Sequence, residues 1–183
     1  MASNLDPFNV ERFLDAQARF YGEALRELRA GRKESHWMWF VFPQLAGLGR
    51  SDSAKYFGIS CLREAESYLR HPILGARLRE ITEVATNLKK SAVEDVFPYP
   101  DDRKFHSSLT LFAIAGEETA VFDRALMQYF RSELDAATLD LLKVSDPLRL
   151  ADPLLPRTGA AQDDGRAERG PPCGGAADVP LSD

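Results

Sequence analysis

Cysteine is scarce in this chain: among 183 residues there are two, Cys61 in the body and Cys173 in a glycine- and proline-rich end. That pair argues against a structural disulfide and fits a reducing, cytosolic setting. Three scattered histidines do not combine with these cysteines into zinc-ligand spacing, so no metal is expected. Long apolar runs are missing too. None approaches the roughly 18 residues of a membrane helix, and "MASNLDPFNVERF" has no hydrophobic signal core, so no membrane partner is expected. Positive charge is not in excess: 23 Lys and Arg face 28 Asp and Glu, for a net charge of -5. Without a basic stripe a nucleic-acid partner is not expected. A small anionic ligand remains open, because one or two well-placed cations suffice for it. No internal repeat recurs at a fixed period, which argues against a regular solenoid.

What is present points to one helical domain. An apolar content of 44% is enough for a sizeable core in a chain of this length. Composition changes near residue 145: from Asp146 onward there is no aromatic residue, and six of the eleven prolines fall there. Such a segment buries too little apolar surface to offset its ordering entropy, so 146–183 is predicted to be a disordered tail behind a domain at 1–145. Within the domain Asp6 and Pro7 look like the start of a helix that ends at Gly31, with Val10, Phe13, Leu14, Phe20, Tyr21, Ala24, Leu25 and Leu28 at helical spacing. Further helices are predicted in "SCLREAESYLR", from Pro72 to Leu88, through "RKFHSSLTLFAIA", in "EETAVFDRALMQYF" and in "LDAATLDLL". Ser91 and Glu94 stand as a capping box for a short turn. No alternating strand pattern persuades, and Pro43 would confine "FVF" to an edge. The expected fold is all-α: a single compact multi-helix domain.

Chemistry concentrates in "GRKESHWMWFVFPQLAGLG", residues 31–49, which holds both tryptophans and one of the histidines. Taken as helical from about Ser35, it gives Lys33, Trp37, Phe40 and Gln44 a shared face, with His36, Phe40 and Pro43 beside it. Aromatic planes that stack a flat ligand, with polar tips to orient it, make a binding wall; the same stripe also suits plain core. His36 is a candidate general base, because an imidazole can take up and release a proton in the physiological range. It could equally be a core histidine bonded to a carbonyl. His71, before a proline at a helix junction, suits a capping role. In "PDDRKFHSSLTLF" a helix puts Lys104, Ser107, Ser108 and Leu111 on one face just inside a helix N-terminus, which suits an anion. The alternative there is capping by Asp101 or Asp102, with the serines bonded back to carbonyls. "GLGRSDS" lacks the Gly-Lys-Ser/Thr ending of a phosphate loop, so Gly47 and Gly49 read as turn formers. Glu64 and Glu66 point apart and form no acid/base pair. Gln17, midway along the first helix, offers an amide to a pocket or is buried with a backbone partner.

These segments together resemble a known family. "DPFNVERFLDAQ", "ALRELRAGRKESHWMWFVFPQLAGLGRS", "EAESYLRHPILGARL" and "DDRKFHSSLTLF" are similar to an uncharacterised bacterial domain family often labelled calpastatin-like, over roughly residues 6–142. The resemblance implies an all-helical fold and no established activity. The calpastatin label carries no weight, since no calpain-inhibitory motif occurs in the chain. Lys33, Ser35, His36, Trp37, Trp39, Phe40, Pro43 and Gln44 match the family's first motif, and Asp102, Lys104, Ser107, Ser108, Thr110, Leu111 and Phe112 its second. Two glycines usual in the family are missing, one before the aspartate at "FPYPDD" and one near "YFRSELD".

The functional expectation is a site for a small anionic metabolite, nucleotide-like or phosphorylated. Lys33 and Lys104 would meet the anion, Trp37 or Trp39 would stack the planar group, and His36 would assist hydrolysis or transfer if the protein is an enzyme. Gln17, Phe40, Gln44, Asp102, Ser107 and Ser108 complete the candidate set, and the residues name no cofactor. The other reading is a non-catalytic module that binds a protein or peptide on the aromatic face.

Overall fold

A computed structural model describes residues 7–88, 90 and 92–145. The segment expected to be a disordered tail, Asp6 and Ser91 lie outside the described residues. The rest is all-α. Among the described residues eight helices run in chain order: α1 Glu11–Arg29, α2 Met38–Val41, α3 Asp52–Tyr56, α4 Leu62–Arg70, α5 Leu74–Asn87, α6 Asp101–Ala115, α7 Ala120–Phe130 and α8 Ala136–Ser145. A 3-10 turn at Val93–Asp95 stands where the capping box was expected. A single parallel bridge, Leu45 to Ile59, is the extended pairing among the described residues.

Helix α6 is the centre of the packing, in contact with α4, α7 and α8, while α5 packs on α1, α4 and α7. Phe105 and every residue from Ser107 to Phe112 are buried. A helix covered on nearly all sides needs apolar or internally bonded residues all round, and "FHSSLTLF" has that character. Its outer end is different: the first turn carries Asp101, Asp102 and Lys104, and it meets the segment after α1.

Helix α1 begins later than the sequence suggested. Asn9 is held at φ 51°, so the chain turns after Pro7 and the helix starts at Glu11. Its end is as expected. Gly31, at φ 95°, donates to the Leu28 carbonyl at 2.8 Å, and Arg32 donates to that of Glu27 at 3.2 Å. These are the two bonds of a Schellman ending, which needs the left-handed conformation that glycine adopts freely. The turn sends the chain back over α1 towards α6. Gly75 answers to a different constraint, because a Cβ there would sit 2.0 Å from the Leu69 carbonyl oxygen. His71 caps this α4–α5 junction, its Nδ1 accepting from the amides of Ile73 at 3.2 Å and Leu74 at 3.3 Å.

The two departures from the family's glycines take local forms. Before α6 the chain passes through a cis Tyr99–Pro100 bond, and Pro100 occupies the cap position. After α7, Arg131 and Ser132 both lie in the left-handed region, at φ 54° and 63°. Non-glycine residues there cost on the order of 1 kcal/mol each. His106 Nε2, 2.8 Å from the Glu133 carbonyl, and the Asp135 amide, donating to Thr110 at 2.9 Å, fasten this strained turn to α6.

Candidate functional site

The helix expected from Ser35 does not form. Only Met38–Val41 is helical, and Lys33 to Trp37 run as an irregular loop. The reason is a side chain from α1. Glu27, 7% exposed, accepts from the Glu34 amide at 2.8 Å, from the Ser35 amide at 3.1 Å to each oxygen, and from the Trp37 indole at 2.7 Å. The Lys33 amide donates across to the Val96 carbonyl at 2.8 Å. Backbone donors that a helix would pair with carbonyls are thus taken by a buried carboxylate and a distant strand of chain. Pro43 follows closely after α2, where a helix could not have continued.

Burial alone would push the Glu27 carboxyl up. The hydrogen bonds from Ser35, the Glu34 amide and the Trp37 indole outweigh it and hold the group below its ordinary value. Glu27 was not singled out in the sequence. The signal available was an acidic residue three positions after Ala24, on the stripe that α1 buries.

The loop and α6 meet through a second carboxylate. Asp101 pairs with Lys33 at 2.5 Å through one oxygen and with Lys104 at 2.7 Å through the other. It stands inside the first turn of α6 and makes no side-chain cap there, so the capping expected of it gives way to bridging two lysines. Each lysine also lies over a tryptophan: Lys33 Nζ is 5.1 Å from the Trp37 ring centre and Lys104 Nζ 4.6 Å from that of Trp39. The two halves differ in exposure. Trp37 is fully buried and the Lys33 side chain is 5% exposed, with its ammonium also donating to the Ser35 carbonyl at 2.6 Å. Trp39 is half-buried, and the Lys104 side chain is 20% exposed. Burial raises the Asp101 carboxyl, but the hydrogen bonds and charges of Lys104 and Lys33 prevail and lower it.

Both depressed carboxyls bear on pH. Where the folded group binds protons less readily than the unfolded one, stability is present above the unfolded value and falls with pH below it. The ordinary values are 4.5 for Glu27 and 3.8 for Asp101. Urea unfolding should therefore show a plateau of this contribution above about pH 5 and a decline as pH drops through 4 and below. A midpoint that holds steady from pH 6 to pH 3 would exclude it.

His36 is exposed and stacks obliquely on Trp39, with centroids 6.4 Å apart at 29°. That placement is not the core histidine bonded to a carbonyl. Elsewhere on α6, Gln44 donates to the Ser107 hydroxyl at 2.7 Å, and Ser107 donates to the Lys104 main-chain carbonyl at 3.2 Å. His36, Trp39 and the Lys104 ammonium therefore form one connected group, joined through Asp101 to Lys33, whereas Ser107 and Gln44 reach Lys104 only at its main chain.

The remaining candidates lie elsewhere. Gln17 is 1% exposed and donates to the Phe40 carbonyl at 2.7 Å and to the Tyr68 hydroxyl at 2.9 Å. Phe40 is 6% exposed, so it and Trp37 belong to the core. Ser108 is fully buried, and its hydroxyl has no partner among the described residues. Asp102 also buries one carboxylate oxygen without a partner and takes no part in the lysine bridge. Glu64 turns to Arg12, 2.6 Å away, and Ser60, so it is no partner for Glu66. Among the described residues no group of three or more His, Cys, Asp or Glu could hold a metal, and no helix is long and apolar enough to cross a membrane.

Fold and site define a small all-α domain built around a lysine–aspartate–lysine bridge flanked by two tryptophans. Residues 7–142 match the model of a family described as a protein of unknown function (DUF1810), and the chain belongs to that family. The chain is similar to a solved structure, the conserved hypothetical protein Rv1873 from Mycobacterium tuberculosis, at 48% identity and a TM-score of 0.73. That match covers 75% of this chain and 98% of the other. No curated protein matches the chain.

Proposed function

We propose that the domain binds a small anionic metabolite carrying a planar group, nucleotide-like or phosphorylated, on the face formed by Trp39, Lys104 and His36. The observation that carries this reading is the Lys104 ammonium held 4.6 Å over a half-buried indole that also meets an exposed imidazole. A cation over an aromatic face, partly screened from water, favours an anion whose flat portion can share the ring. Two ammonium groups share one carboxylate at Asp101, so a positive charge is left over, and the more exposed Lys104 is the one a ligand would reach. The ring of His36 makes no hydrogen bond within the described residues, which supports a role for it in polarising or deprotonating a group bound there.

The test is a thermal-shift screen against nucleotides, sugar phosphates and ADP-ribose-like compounds. A compound at 100 times its dissociation constant should stabilise the fold by about 2.7 kcal/mol. His36→Ala should abolish any turnover of such a compound and leave stability within about 0.5 kcal/mol, as for an exposed position. A blank screen would remove the reading, and a large loss of stability in His36→Ala would make the histidine structural.

A second reading rests on another surface. Phe20 and Tyr56 are 43% and 60% exposed, and Phe40 and Phe57 join them into a row of ring contacts. An aromatic patch of this kind suits a protein or peptide partner. It gains weight if the metabolite screen is blank.

A further inference from the structure

We infer that Lys33 sets the affinity of this face for an anion without touching the ligand, by neutralising Asp101 from behind so that Lys104 keeps its charge for the ligand. The inference rests on the planar-anion reading above and changes the part Lys33 plays in it, since the sequence pattern set Lys33 against the anion itself. In the structure that contact is closed off. The Lys33 side chain is 5% exposed, and its ammonium is enclosed by the Asp101 carboxylate at 2.5 Å, the Ser35 carbonyl at 2.6 Å and the Trp37 ring at 5.1 Å. The lysine across the carboxylate is placed differently. Its side chain is 20% exposed, and its ammonium stands 2.7 Å from the other Asp101 oxygen and 4.6 Å from the centre of the half-buried Trp39 ring.

These three charges decide what an anion meets at Trp39. Lys104 and Asp101 alone would form a neutral pair, in which the carboxylate repels an anion and offsets much of the pull of the ammonium. Lys33 supplies the second positive charge, from a buried position where water and salt screen it little. Among the described residues Asp101 pairs with these two lysines alone, so one net positive charge remains. Lys104 is the ammonium through which a ligand reaches it. The course of the loop does not depend on the Lys33 ammonium. The Lys33 amide donates to the Val96 carbonyl at 2.8 Å, the Glu34 and Ser35 amides donate to Glu27, and the Ser35 carbonyl also accepts from the Trp37 amide at 3.3 Å. Removing the Lys33 charge therefore changes the electrostatics at Lys104 and leaves these backbone bonds in place.

Calorimetric titration of the full chain with AMP tests this. Lys33→Met should weaken AMP about ten-fold, because Asp101 then answers to Lys104 alone. Adding Asp101→Asn to Lys33→Met removes the carboxylate charge as well and leaves Lys104 uncompensated. That double variant should return the affinity to within about three-fold of the native chain, a recovery that only coupled charges give. A lysine that merely packs the loop would leave the double variant as weak as the single one. AMP affinity unchanged in Lys33→Met, or not recovered in the double variant, would overturn the inference and leave the planar-anion reading standing. If AMP does not bind the native chain the inference falls, and the planar-anion reading falls with it when the wider screen is also blank.

Discussion

Glu27→Ala should destabilise the domain by more than 3 kcal/mol, on the order of a third of a typical folding free energy. Four contacts from three donors end on this carboxylate, and all three donors, the Glu34 and Ser35 amides and the Trp37 indole, lie in or beside the buried Trp37 segment. Each donor left without a partner in a dry site costs roughly 1–3 kcal/mol. Water entering the vacated space would recover part of that. Glu27→Gln is expected to help little, since its amide nitrogen would face groups that themselves donate. The contributions are coupled: in a Trp37→Phe background the indole donor is already gone, so Glu27→Ala should cost less there than in the native chain. Urea unfolding of the four proteins gives the comparison. A loss below about 1 kcal/mol for Glu27→Ala would show that the carboxylate does not organise the loop.

Asp101→Ala should cost about 3 kcal/mol, for a different reason. It strands the Lys33 ammonium, whose side chain is 5% exposed, with the Ser35 carbonyl as its remaining close partner. Removing one member of a buried ion pair leaves an uncompensated charge, whereas replacing both members by apolar groups is often near neutral. The double variant Lys33→Met with Asp101→Ala should therefore be more stable than Asp101→Ala alone. Lys104→Ala should cost less than about 1 kcal/mol, because that lysine is the more exposed partner. If the double variant proves less stable than Asp101→Ala, the pair is not held by the balance described. Ligand affinity should follow another order, falling most in Lys104→Ala.

Much of this fold could be read locally. The α6 segment announces itself through "FHSSLTLFAIA", and the end of α1 through Gly31, because a buried helix and a Schellman ending depend on neighbouring residues. The sequence set Lys33 and Lys104 toward one anionic ligand; in the structure the anion they share is the Asp101 carboxylate. The loop at 33–37 was not readable, because its amides answer to Glu27 rather than to carbonyls four residues back. Helical spacing consequently placed Trp37 and Gln44 on one face, whereas the loop buries Trp37 and leaves Trp39 at the surface. Gln17 followed the commoner fate of a polar residue on an apolar stripe, bonded to a backbone carbonyl. The role of Asp101 was hidden for the same reason as that of Glu27. A carboxylate at a helix start reads as a cap until the lysine from a distant segment is seen beside it.

The difference between the two tryptophans offers the most direct test of the metabolite site. Trp37 is fully buried and Trp39 is half-buried, and the chain has no other tryptophan. Fluorescence should be followed while the strongest hit from the screen is titrated in. A saturable change in emission is expected for the native chain, with no such change in Trp39→Phe at the same concentrations. A titration that looks the same in Trp39→Phe, or a native chain whose emission never responds to a bound compound, would contradict the placement of the ligand on this face.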